Sequence, residues 1–222
     1  MNTRHGILMV GVALLVLCAF VGTVSATTII WVPSPGNETI QQAVNNASRY
    51  DTITVRDGIY TENIDVTVDH LTIRSENGSA LTIVQAVDPE DNVFDVKENY
   101  VNISGFTATG AYCGIGLYAN DWEPVIYCNI SNNVVRNNGD GIHLYSTYMY
   151  STGYNTITNN NAYNNSNGIY VRCSSYNTIT NNNAYNNSCG ISLPDFSHYN
   201  TLTNNTAYNN LNLTPATFSI SI

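Results

Sequence analysis

His143, Tyr145 and Arg172 are the residues of this 222-residue chain whose types suit proton chemistry on a sugar acid. An arginine can neutralise a substrate carboxylate, while an imidazole and a phenol exchange a ring proton beside it. With Tyr118, Trp122 and Tyr170 the same residues make a set suited to carbohydrate binding. Apolar faces of sugar rings stack on aromatic rings, and polar side chains at the rim take up the hydroxyls. The spacing gathers these residues only if equivalent segments are stacked. Gly116, His143, Tyr170 and Ser192 then share one row, and Tyr118, Tyr145, Arg172 and Pro194 share the row two residues on. Loops carrying Asp121, Trp122 and Glu123, and then Tyr148, Met149 and Tyr150, leave from the end of the same segment. Three readings are open: a strand face that takes Tyr and His for propensity alone, a glycan-binding surface, and a uronate lyase or epimerase. Glycosidase chemistry fits less well, because it usually wants two carboxylates flanking one bond. Asp140 is the only acid on these segments, and its row partners are Cys113, Asn167 and Cys189.

The stacking follows from internal repetition. NTITNNNAYNN begins at Asn155 and again at Asn177, and NTLTNNTAYNN begins at Asn200. Tyr100, Tyr127, Tyr154, Tyr176 and Tyr199 each stand three residues before an aliphatic residue that opens a copy. Self-similarity at a period of about 20–50 residues marks a solenoid. Within each copy Ile115, Ile142, Ile169 and Ile191 follow a glycine and precede, two residues on, Leu117, Leu144, Val171 and Leu193. Apolar residues at period two mean short strands with one inward face. Asparagine and glycine between the strands supply the turns.

A strand, an Asn-rich turn, another strand and a variable loop in register describe one coil of an all-β, single-stranded right-handed parallel β-helix. About seven coils at about 4.8 Å each give a rod of roughly 34 Å. Asn155, Asn177 and Asn200 should stack as a hydrogen-bonded ladder. The five tyrosines form a second ladder, extended upward by His70 and Tyr50, and Tyr163, Tyr185 and Tyr208 form a third. These ladders read as structural. An open solenoid end needs a cap. Ile40, Ala43, Val44 and Ala47 lie at helical spacing with Asn37 available as N-cap, so an amphipathic helix should close the first coil.

Residues 1–26 read as a signal peptide: Arg4, an apolar run from Ile7 to Val21, and small residues at Val24-Ser25-Ala26. An uncleaved anchor is the alternative, since the run is long. Leu17 before Cys18 argues against a lipidation site. The expected organisation is therefore a leader to residue 26, a strand and capping helix over 27–50, the β-helix over 51–213 and a tail or cap over 214–222. The formal net charge is −9, and twelve of the sixteen acids precede residue 100. Such a surface repels nucleic acid and anionic membranes. A membrane contact is expected only through an uncleaved leader.

An exported chain allows disulfides, yet no two of Cys113, Cys128, Cys173 and Cys189 fall at stacked positions, so buried free thiols are expected. Asn37, Asn46, Asn77, Asn102, Asn129, Asn164, Asn186, Asn204 and Asn212 lie in N-glycosylation sequons. An Asn-, Ser- and Thr-rich repeat also makes sequons by chance, and ladder asparagines would be inaccessible. Asp88, Glu90, Asp91 and Asp95, and Asp121 with Glu123, offer oxygen ligands of the kind calcium uses. Their spacing equally suits a solvated acidic loop.

TIQQAVNNASRYDTITVRDGIYTENIDV resembles the entry segment of pectate-lyase-like β-helices, and the NTITNN…NGIYV units resemble the repeats of NosD-type extracellular proteins. The resemblance covers nearly all of the chain beyond the leader and implies fold far more than chemistry. The paired aspartates of pectin methylesterases and the Asp-Asp and Gly-His-Gly of polygalacturonases have no match here beyond GDGIHL around Asp140 and His143. Kinship with NosD implies copper. Beyond the leader, though, the chain has Met149 and three separated histidines, His70, His143 and His198, too scattered for a copper site. No cofactor is expected, calcium being the exception to look for. The resulting expectation is an exported or cell-surface scaffold or glycan-binding module. A polysaccharide-active enzyme using His143, Tyr145 and Arg172 is the alternative.

Overall fold

The computed structural model describes residues 27–119, 123–146, 152–194, 196–212 and 220–221. The expected leader, Asp121, Trp122, the loop residues Tyr148, Met149 and Tyr150, and most of the C-terminal tail lie outside the described residues. Within them the chain winds as a parallel β-helix of three sheets. Each coil enters through a strand of a nine-stranded sheet, turns into a seven-stranded middle sheet, and leaves through a six-stranded exit sheet. One coil runs Asn102–Ser104, Thr107–Thr109, Cys113–Tyr118, and the next runs Asn129–Ser131, Val134–Arg136, Asp140–Tyr145. Pairing between coils is parallel and residue for residue: Ile103 meets Ile130, Ala108 meets Val135, and Ile115 meets Ile142.

The core is these stacked aliphatic columns. Ile53, Ile73, Ile103, Ile130, Ile157 and Ile179 are fully buried, as are Ile115, Ile142 and Ile169 on the exit side. The glycine before each exit isoleucine has a steric cause. A Cβ on Gly114 would lie 2.7 Å from the carbonyl oxygen of Gly141, and one on Gly168 would lie 2.5 Å from that of Gly190. Successive coils thus approach backbone to backbone at this point.

From the coil that begins at Asn102 onward, each corner between sheets holds a residue at positive φ. Asn132, Asn159, Asn181 and Asn204 occupy one corner, and Asn137, Asn164, Asn186 and Asn209 the next. The third corner is occupied by Tyr50, His70, Tyr100, Tyr127, Tyr154, Tyr176 and Tyr199. The aromatic ladder stacks as expected, with centroids 5.0 Å apart for Tyr100–Tyr127 and 5.1 Å for Tyr154–Tyr176. Tyr163, Tyr185 and Tyr208 stack at 4.9 and 5.1 Å.

The residue after each corner asparagine turns inward and forms a ladder. Asn133 Oδ1 accepts from Phe106 N at 3.0 Å while its Nδ2 donates to the Ile103 carbonyl at 3.0 Å. Asn160, Asn182 and Asn205 repeat this down the rod. Asn155, Asn177 and Asn200 form the expected ladder, and Asn138, Asn165, Asn187 and Asn210 a further one. The inward asparagines are not the sequon ones: Asn164, Asn186 and Asn204 are the exposed corner residues, as Asn46, Asn77 and Asn212 are exposed elsewhere. Asn37, Asn102 and Asn129 are half-buried.

The capping helix spans Ile40–Asn46 and buries Ile40, Ala43 and Val44. Its N-cap is Thr39, not Asn37, because Thr39 and Gln42 complete a reciprocal capping box. The Glu62 carboxylate, from the first coil, accepts from Ile40 N at 2.9 Å and Gln41 N at 3.0 Å, tying the helix N-terminus to the solenoid. At the other end Ile220–Ser221 returns antiparallel against Thr201–Thr203. All four described cysteines are free. Cys113 and Cys128 are buried as expected, whereas Cys173 and Cys189 are half-buried.

Candidate functional site

The outward face of the exit sheet carries the polar chemistry. Register puts Gly116 beside His143, His143 beside Tyr170 and Tyr170 beside Ser192. Tyr118 lies beside Tyr145 and Tyr145 beside Arg172. The expected rows are thus brought together, and Trp122 alone of the set falls outside the described residues.

His143 is only 6% exposed, so it is not part of an open floor as the row reading implied. The cause is its neighbours. Tyr118 folds back over Gly116, whose missing side chain leaves the room. The Tyr118 and Tyr170 rings sit 5.3 and 4.8 Å from the imidazole, and Tyr145 closes a third side at 5.9 Å. Asp140 Oδ2 and Tyr118 Oη each lie 3.1 Å from His143 Nδ1. Asn167 Nδ2 donates to the other Asp140 oxygen at 2.7 Å. An Nδ1 proton donated to the carboxylate fixes the tautomer and leaves Nε2 as acceptor. Nε2 is buried without a partner.

Burial pushes the Tyr118 phenol well above its ordinary range, and Cys113, Tyr112, Asp140 and Asp95 add to it. Cys113, on the same face, is raised by burial and then by Asp140. Neither is an ionised nucleophile or base at neutral pH. Arg172 lays its guanidinium 5.8 Å from the Tyr145 ring centroid, and its Nε is buried without a partner.

The sequence reading missed the upper part of this face. Asp95 pairs in register with Gly116, and Asp65 pairs with Asp95. Lys97 bridges them, 2.7 Å from Asp65 and 2.9 Å from Asp95. The signal was present in Ile64-Asp65-Val66 and Phe94-Asp95-Val96, which align with Ile142-His143-Leu144 once the lower repeats are extended upward. Burial raises the Asp95 carboxyl, against the pull of Lys97. Asp95 therefore lies on this face, apart from the turn that carries Asp88, Glu90 and Asp91. Asp88 and Asp91 instead accept from the turn backbone, at 3.0 Å from Glu90 N and 2.7 Å from Asn92 N. Glu123 is exposed, and its companion Asp121 is outside the described residues.

Solved structures share the architecture. Pectate lyase Pel9A superposes with a TM-score of 0.69 at 18% identity, over 85% of this chain and 55% of Pel9A. An alginate lyase from Paenibacillus sp. str. FPU-7 gives 0.62 at 20% identity, over 81% of this chain and 66% of the lyase. A pectin methylesterase solved with a hexasaccharide gives 0.54 at 11% identity, over 82% and 66%. The chain thus spans roughly half to two thirds of the length of these structures, and what is shared is the fold. No curated protein matches it.

A family model described as periplasmic copper-binding protein (NosD) matches residues 44–219. The donors among the described residues do not fit copper. Among the described residues no three of His, Cys, Asp and Glu gather as a ligand set. His143 Nδ1 is taken by Asp140 and Tyr118, the Cys128 thiol is raised by burial to about 12 and donates to the Glu98 carbonyl, and His70 is held in the aromatic ladder. The repeat, the sheets and the extent of the match agree on one statement: this chain belongs to the NosD family.

Proposed function

We propose that the protein is an exported glycan-binding module without catalytic activity, and that the exit-sheet face around Tyr145, Tyr170 and Arg172 is its binding surface. The observation that carries this reading is the concentration of Tyr118, Tyr145, Tyr170 and Arg172 on adjacent coils around one buried imidazole. Arg172 is half-buried, with its guanidinium beside the Tyr145 ring, and supplies the cationic donor for a sugar carboxylate or hydroxyl. The periplasmic description of the family supports an extracytoplasmic location, and the pectate- and alginate-degrading neighbours favour a uronate-containing chain as ligand. Among the described residues no helix is long and apolar enough to cross a membrane.

The lyase or epimerase reading asks His143 and Tyr145 to move a ring proton. His143 speaks against it: a base must reach its proton within hydrogen-bond distance, and this imidazole is covered by three tyrosines. The test pairs two readouts on oligogalacturonate, oligoalginate and neutral oligosaccharides. Calorimetry should show uronate binding that Arg172→Ala and Tyr145→Ala abolish. Ultraviolet absorbance of unsaturated ends should stay flat, and sugar composition unchanged. A rise in absorbance, or epimerised sugar, that disappears in His143→Ala would establish the enzyme instead. No binding to any glycan would leave a scaffold.

A further inference from the structure

We propose that the corner tyrosines are sites of oxidative cross-linking, forming dityrosine bonds between successive coils of the same chain. Tyr127–Tyr154, Tyr154–Tyr176 and Tyr176–Tyr199 stack with centroids 5.5, 5.1 and 4.9 Å apart and interplanar angles of 26°, 8° and 16°. The rings are reachable by an oxidant, because Tyr154, Tyr176 and Tyr199 are 53%, 48% and 60% exposed. The small interplanar angles set each phenol ring face to face with its counterpart in the next coil. Half-exposed rings can also pivot to bring two carbons ortho to the hydroxyls together.

The corner itself does not call for tyrosine. All seven residues there are at positive φ, a conformation that costs an L side chain roughly 1–2 kcal/mol and that asparagine and glycine tolerate best. The chain uses asparagine or glycine at the other two corners, as at Asn159, Asn164, Gly105 and Gly110. Stacking returns about 0.5–1.5 kcal/mol per pair, which offsets the strain without a clear surplus. Folding energetics therefore leave the choice of an oxidisable ring at this corner unexplained, and a chemical role for the phenols accounts for it.

The chemistry balances with a peroxide as oxidant, delivered through a haem peroxidase. Each of two adjacent phenols loses one electron and its hydroxyl proton. The two phenoxyl radicals pair their unpaired electrons in a new carbon–carbon bond ortho to the hydroxyls. The ring hydrogens at those carbons shift to the oxygens and restore both phenols. The pair has lost two hydrogens, and the peroxide has become two waters. The exit face is an internal control: Tyr118 and Tyr145 are 6.1 Å apart and tilted by 55°, and Tyr118 is half-buried.

The folded protein would be treated with peroxidase and hydrogen peroxide at low concentration. The expected product runs as a monomer on a denaturing gel, is lighter by two hydrogens per bond, and shows dityrosine fluorescence. Peptide mapping should join segments containing Tyr154 and Tyr176, or Tyr176 and Tyr199. Tyr154→Phe, Tyr176→Phe, Tyr199→Phe together keep the rings and should remove the Tyr154–Tyr176 and Tyr176–Tyr199 cross-linked peptides from the map, with folding checked by circular dichroism. The wild-type map decides the matter should that variant not fold. Cross-links only between molecules, cross-links joining Tyr118 to Tyr145 as readily as the ladder, or no dityrosine at all would each overturn the proposal.

Discussion

The upper and lower coils fill equivalent corners with opposite chemistry. Leu71, Val101 and Cys128 occupy the buried position before the entry strand in the upper coils, where Asn155, Asn177 and Asn200 stand in the lower ones. Phe106 and Ala111 likewise precede Asn133 and Asn138 in their columns. An apolar corner gains from removing surface from water. An asparagine corner gains little from burial, but its amide satisfies one backbone N–H and one carbonyl of the coil above, which the turn would otherwise leave open. The candidate site sits where the two styles meet, on the coils of Tyr118, His143 and Arg172. Irregular residues are tolerated on the outward face there because the inward columns on either side are complete.

This comparison can be broken in order of expected effect. Phe106→Ala should destabilise the fold by about 3–5 kcal/mol, as a lost aromatic and its cavity do; chemical denaturation measures it, and a cost below that of the asparagine variants would remove the contrast. Asn160→Ala should cost about 2–3 kcal/mol, because Asn133 N and the Ile130 carbonyl lose their partner. Asn160→Leu should do no better, since it restores volume without the amide. Recovery of stability by leucine would show that packing alone fills the lower corners.

Lys97→Met probes the charged upper face and should cost about 1 kcal/mol near neutral pH, a discounted value because the ammonium is 47% exposed. Its pH dependence has a definite sign. The folded Asp95 carboxyl is raised by burial, Lys97 opposing and Asp65 and Asp91 adding. The folded state thus holds that proton more tightly than the unfolded chain, and stability rises as pH falls through the folded value. Without Lys97 the shift is larger, so the deficit of the variant should shrink on acidification. A deficit independent of pH, measured by thermal melts across the acid range, would contradict the assignment. The smallest effect is expected for Tyr176→Asn, within about 1 kcal/mol of wild type, because relief at positive φ offsets two lost stacks.

Residues 155–165 and 177–187 are verbatim copies, which made coil, register and the Asn155 column legible before any coordinates. The glycine–isoleucine pair was legible as a pattern, but its cause, the approach of Gly114 to the Gly141 carbonyl, is a relation between coils. The second and third asparagine columns were hidden because Asn-Asn pairs do not say which member turns inward. Backbone at positive φ decides it, sending Asn159 out and Asn160 in. Asp95 was grouped with the acidic loop and Lys97 escaped notice, because the upper coils do not repeat the lower ones closely enough to align by eye.

The sequence by itself determined the solenoid, the number of coils and which residues share a row, since each follows from period and composition alone. Tertiary structure decided what the rows do. Rows give neighbours, but not the direction in which a long side chain folds. Tyr118 turns back over Gly116, seals His143 against Asp140, and converts an apparent open patch into a buried network with an aromatic rim. That outcome depends on free space above one glycine, a property of three stacked coils that no single segment encodes.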